Sequence, residues 1–384
     1  MKQSRLAAVF CALLLTAACA APDIQASRPS AQHRAQTPAR QSLDVYIGDM
    51  SLEAQVEQLF IVRLGAKNER LDAPGDAMFA FIDENPAGGY ALFANNISTI
   101  SNANALTAAI SRHAVVPPFI AIDEEGGLVS RIDAAGMPGF TPQPGAAAHG
   151  ATRDTSAAYE SARYMGRILR DMGINLNFAP VADVWIETGY NVLGSRSYGS
   201  DPALVADMAA AYQSGLMSEG ILSCPKHFPG LGGAVGDPHD GQSVGDDSAL
   251  GAGYLPFVRA IEGGAPFIMV GHIVVPGVDE SDVPASLSRY FITQVLREEL
   301  AFEGLIITDA MNMRAITDSY TPAEAAVLAI SAGADIILMP ADYAAAKEGV
   351  LFAVANDRIT PQRIRDSVKR VLQTKLDAGL FTLP

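Results

Sequence analysis

An α/β chain folded as a single (β/α)8 TIM-type barrel is what three features of this sequence predict. Short, almost purely apolar runs recur along it, as strands buried on both faces of a parallel sheet do. Amphipathic helical stretches separate them, giving eight strand–helix alternations after Met50. Several of the runs also finish on a charged or imidazole side chain, which an apolar strand has no packing reason to do. A doubly wound open sheet shares the alternation, and periodicity alone does not separate the two.

The chain has 384 residues, 49% hydrophobic and 18% charged, enough apolar material for a large core. That composition excludes a disordered, collagen-like or coiled-coil chain. A net charge of −15 argues against a nucleic-acid partner, which needs a basic face.

The amino terminus reads as a targeting segment. Lys2 and Arg5 precede the apolar run Leu6–Leu15, and small residues lead into Cys19. Residues 1–18 are expected to be a signal peptide. Cys19 sits as in a bacterial lipobox, which implies lipidation and membrane anchoring; plain cleavage and secretion across the inner membrane is the alternative. Residues 19–43, rich in Ala, Pro, Gln, Ser and Arg, are expected to form a flexible tether, and residues 44–384 the barrel.

Candidate strands follow at Leu59–Arg63, Gly89–Phe93, Phe119–Asp123, Leu176–Pro180, Ile221–His227, Phe267–His272, Leu305–Asp309 and Asp335–Met339. Helical patterns lie between them, among them Ser156–Met172, Pro202–Ser218, Leu255–Glu262 and Ala323–Ala332. In the last helix Thr360 suits the N-cap and Pro361 the first helical position, with Ile364, Val368, Val371, Leu372 and Leu376 forming one apolar stripe.

In a barrel, polar groups at the carboxyl ends of strands build the active site. The densest such segment runs from Lys226-His227-Phe228-Pro229-Gly230 to Asp237-Pro238-His239. An Asp can accept a hydrogen bond from one imidazole nitrogen and free the other to trade a proton with a substrate. The surrounding glycines suit a loop that closes over a ligand. Asp309, directly after three apolar residues and Thr308, suits a fixed carboxylate: a nucleophile, a base or an N-cap. Asp123, in Asp123-Glu124-Glu125-Gly126-Gly127, could accept bonds from sugar hydroxyls with Arg131 nearby to orient it. Arg196 is displayed on a glycine-bounded loop. No cysteine cluster or HExxH spacing supports a metal, and no cofactor is expected.

Together these segments resemble family 3 glycoside hydrolases, specifically their β-N-acetylglucosaminidase (NagZ-type) branch, over nearly all of residues 48–381. The Lys-His-Phe-Pro-Gly loop ending in Asp-x-His is the most specific element. The resemblance implies a catalytic nucleophile at Asp309, an acid/base at His239 paired with Asp237, and a grip on a terminal N-acetylglucosamine by Asp123, Arg131, Arg196, Lys226 and His227. It implies a retaining exo-β-N-acetylglucosaminidase acting on cell-wall muropeptides or chito-oligosaccharides; the chain is expected to be a monomer. A β-glucosidase of the same family, or a catalytically silent muropeptide-binding lipoprotein, is the alternative. The chain departs from the family pattern at Leu231, where a His is usual, at Pro238, where a Ser is usual, and near Asn95, where an Arg is usual.

Overall fold

The computed structural model describes residues 38–187, 192–245, 250–278 and 282–383. Its compact unit is Gln41–Pro384. The strands in chain order are β1 (Phe60–Arg63), β2 (Gly89–Leu92), β3 (Phe119–Ile122), β4 (Glu124–Gly126), β5 (Val129–Ser130) and β6 (Leu176–Asn177). They continue with β7 (Leu222–Ser223), β8 (Ser243–Val244), β9 (Phe267–Val270), β10 (Ile273–Val274), β11 (Leu305–Thr308) and β12 (Ile337–Leu338). Every residue of β2, β3, β9 and β11 is buried, which is why these segments carry no polar alternation.

Parallel pairing runs β12-β1-β2-β3-β6-β7 in one ladder and β9-β11 in a second. Single parallel bridges, Phe228↔Val270 and Ile307↔Ile336, carry the pairing across the two seams between them. Sequence neighbours lie side by side and the last strand pairs with the first, so the sheet is curled and not doubly wound. All eight expected strand regions fall in this sheet or at its seams.

Helix starts follow local chemistry. Ser51, Thr99, Asp154, Asp201, Thr321, Asp342 and Thr360 each accept a backbone N–H with their own side chain at a helix start. Pro202, Pro322 and Pro361 occupy the first turn of their helices, where a missing N–H costs nothing. The segment after β11, Arg314–Thr317, makes one short helical turn.

One boundary moves. A helix spans Pro38–Asp49, so the stretch expected to be a tether, residues 19–43, gives way to helix before its end. The physical reason is the spacing of Leu43, Tyr46 and Ile47. At i, i+3 and i+4 they make one apolar face, and Leu43 is fully buried. Asp44 on the same helix pairs with Lys369 of the last helix at 2.5 Å. The signal peptide and Cys19 lie outside the described residues.

Two small features were not read from sequence. β4 and β5 form an antiparallel hairpin after β3, turning at Gly126 and Gly127 with φ of +80° and +58°. β8 pairs in parallel with β10, and Val244 also bridges Val235 in antiparallel sense. The long loop after Lys226-His227 is thereby tied down on its return leg.

Candidate active site

The carboxyl ends of the sheet strands bring Arg63, Phe93, Asp123, Asp183, Lys226, His227, His272 and Asp309 to one mouth, in the order of the strands that carry them.

At its centre is a chain of charges. Asp123 leaves β3 toward the mouth, and Glu125, two residues on, lies on the same side. Lys226 Nζ lies 2.7 Å from each of these carboxylates, with its side chain only 3% exposed. Arg131 donates from Nη2 to Asp123 at 3.3 Å. Arg196 grips Glu125 with two parallel bonds, Nε and Nη2 each at 2.9 Å. Burial pushes the Asp123 carboxyl up, but the Lys226 and Arg131 charges outweigh it and hold Asp123 below the usual carboxylate range. Glu125 is lowered in the same way by Lys226 and Arg196 against its burial. Burial pulls the Lys226 amine down, and the two carboxylates more than reverse it. All are therefore ionised at neutral pH and present donors and acceptors in fixed places.

His227 continues the chain. Its Nε2 lies 3.4 Å from Arg196 Nη2, and its Nδ1 lies 2.7 Å from Asp183 Oδ2. Asp183 is wholly buried and also accepts the backbone N–H groups of His227 and Leu231, at 3.2 and 2.8 Å.

Asp309 follows β11, is half-buried, and accepts the Ala310 N–H at 2.7 Å. Burial raises its carboxyl, but the nearby imidazoles of His227 and His272 and the Ala310 N–H bring it below the ordinary value. Beneath it His272 is fully buried. Its Nε2 donates to the Ala310 carbonyl at 3.0 Å and its Nδ1 accepts from Ser286 Oγ at 2.7 Å, so it props the backbone beside Asp309.

Asp237 and His239 are paired as expected. Asp237 Oδ1 lies 2.9 Å from His239 Nδ1 and accepts the His239 N–H at 2.9 Å, leaving Nε2 outward on a ring 70% exposed. The dyad is not adrift: the Pro238 carbonyl accepts the Ala315 N–H at 3.0 Å. That bond joins the dyad to the turn following Asp309. At the loop's root Gly232 passes so close to Val184 that a Cβ there would sit 1.5 Å from its carbonyl oxygen, and only glycine fits.

The structure thus gathers Asp123, Arg131, Arg196, Lys226 and His227 into one connected clamp, with Asp309 alongside and Asp237–His239 above on the loop. Sequence reasoning missed Asp183 and the part played by Glu125. The three departures have local explanations. Leu231 is buried against Gly271, and its N–H is one of the two Asp183 holds. Pro238 supplies the docking carbonyl. Asn95 accepts from Arg63 Nη2 at 2.8 Å, while the Arg63 guanidinium stacks 3.8 Å over Phe93, so β1 brings a guanidinium beside this position.

Residues 51–374 match the glycosyl hydrolase family 3 N-terminal domain. Beta-hexosaminidase A of Pseudoalteromonas piscicida is 36% identical over 272 residues, which make up 66% of this chain and 46% of that protein. Beta-hexosaminidase LpqI of Mycobacterium tuberculosis is 38% identical over 231 residues, 58% of each chain. The chain therefore spans about half the length of these two curated relatives. Among solved structures, a glycoside hydrolase family 3 beta-N-acetylglucosaminidase from Paenibacillus sp. str. FPU-7 superposes with a TM-score of 0.80 at 35% identity, covering 86% of this chain and 63% of that one.

Proposed function

The chain belongs to glycoside hydrolase family 3, and on that premise we propose that it is a retaining exo-β-N-acetylglucosaminidase acting on N-acetylglucosamine-terminated glycans such as muropeptides or chito-oligosaccharides. The observation that carries this reading is the pairing of an ionised, half-buried carboxylate, Asp309, with an Asp–His dyad hydrogen-bonded to the turn that follows it.

In the first step an Asp309 oxygen bonds to the anomeric carbon as the glycosidic C–O bond breaks. His239 Nε2–H gives its proton to the departing oxygen, while Asp237 holds Nδ1–H. In the second step water attacks the same carbon, His239 Nε2 takes its proton, and the Asp309 carboxylate is released. The connected clamp of Asp123, Arg131, Arg196, Lys226 and His227 holds the sugar hydroxyls and the N-acetyl side throughout. The open position of His239 leaves room for an aglycone.

The test is release of 4-nitrophenol from 4-nitrophenyl N-acetyl-β-glucosaminide. Asp309→Ala is expected to lose at least about a thousandfold in turnover. No release above buffer by the intact protein, or faster hydrolysis of the glucoside, would refute the assignment.

A further inference from the structure

We propose that Asp183 is a positioning residue that fixes the tautomer of His227 and, with the same carboxylate, holds the root of the catalytic loop; this rests on the function proposed above. Its two oxygens divide the work. Oδ2 faces His227 Nδ1 at 2.7 Å, and Oδ1 takes the N–H groups of His227 at 3.2 Å and Leu231 at 2.8 Å. An ionised carboxylate only accepts, so His227 must carry a proton on Nδ1. With that proton on Nδ1 alone, Nε2 is a lone pair, and it accepts from Arg196 Nη2 at 3.4 Å.

The consequence falls on Arg196. Its guanidinium is held by Glu125 on one side and finds an acceptor in His227 Nε2 on the other, so the tautomer helps set where Arg196 points its donors at the sugar. The opposite tautomer would aim an Nε2–H at the Arg196 guanidinium and cost it that acceptor. Asp183 is fully buried, so water cannot replace it in either contact. The loop contact matters equally. Leu231 lies at the start of the run that reaches Asp237 and His239, so one side chain sets both the sugar clamp and the origin of the acid/base loop.

Asp183→Asn separates the two tasks. Its Oδ1 can keep the Leu231 and His227 backbone bonds, while its NH2 now meets Nδ1 and forces the proton to Nε2. Histidine ¹⁵N chemical shifts read the outcome, with the His227 signal identified by its loss in His227→Gln. We expect an Nδ1-protonated His227 in the parent protein and an Nε2-protonated one in Asp183→Asn. We also expect kcat/KM to fall on the order of 10- to 100-fold in Asp183→Asn, and less than about threefold when the same change is made in His227→Gln. An Nε2-protonated His227 in the parent, an unchanged tautomer in Asp183→Asn, or equal losses in both backgrounds would overturn the proposal. The shift measurement needs no turnover, so a protein without glycosidase activity would sink the functional reading and still report the tautomer.

Discussion

Asp309 and His239 occupy opposite surroundings, and their proposed roles follow from that. Asp309 is half-buried among imidazoles and a backbone donor that keep it ionised, as an attacking carboxylate must be. His239 stands 70% exposed on its loop, held through Nδ1 and its own N–H, where it can meet a leaving oxygen. Its contribution must then scale with how badly the leaving group needs a proton. His239→Ala is expected to slow chitobiose hydrolysis by about 10²–10⁴-fold, the usual worth of general acid–base catalysis, but a 4-nitrophenyl glycoside by far less. Steady-state rates on the two substrates check this, and equal losses would remove the acid role. At this scale the sequence was informative wherever a polar residue closed an apolar run, as at Asp309, Asp123 and Lys226-His227. Asp183 obeys the same rule, lying between Ala182 and Val184 in an apolar stretch, and could have been found by it. What sequence could not supply was its partner, because His227 lies 44 residues away.

The β4–β5 hairpin shows how an element divides its side chains. Asp123 and Glu125 turn to the mouth while Glu124 turns inward, fully buried. One Glu124 oxygen accepts the Ile132 N–H at 3.0 Å; the other is buried with no hydrogen-bond partner among the described residues. Burial pushes this carboxyl up to about 7 from 4.5. The folded state therefore keeps a proton that the unfolded chain has released, so stability falls as pH rises from about 4.5 to 7 and stays lower above. Glu124→Gln should remove this slope. Denaturant unfolding of the parent is expected to lose about 2–3 kcal/mol relative to the variant between pH 4.5 and 8, and parallel curves would contradict it. The hairpin itself escaped sequence reading because its strands are three and two residues long, too short for any period to register. The docked Asp237–His239 loop escaped for a different reason: its bond from Ala315 to Pro238 joins two segments that share no pattern.

Over the whole molecule, the sheet sets the mouth and the base secures the sheet. Asp335, fully buried before β12, accepts the Ile306 N–H at 3.1 Å and Arg370 Nη1 at 3.0 Å, and also binds Arg297 and Ser367. It ties β11, β12 and the last helix together at the end opposite the clamp. The order of the strands was legible because each buried stave reads as an apolar run. The seams at Phe228↔Val270 and Ile307↔Ile336 were not, since a single bridge leaves no mark on composition. The helix Pro38–Asp49 was hidden by a stretch that reads as polar linker until its apolar face is matched to the core. The central claim for this assembly is that a sugar becomes covalently joined to Asp309. The most direct measurement is mass spectrometry of peptides from protein treated with 5-fluoro-N-acetyl-β-glucosaminyl fluoride, whose ring fluorine slows breakdown of the ester. One glycosyl adduct is expected, on the peptide containing Asp309; an adduct on another carboxylate, or an unlabelled protein that releases an inverted sugar, would rule that role out.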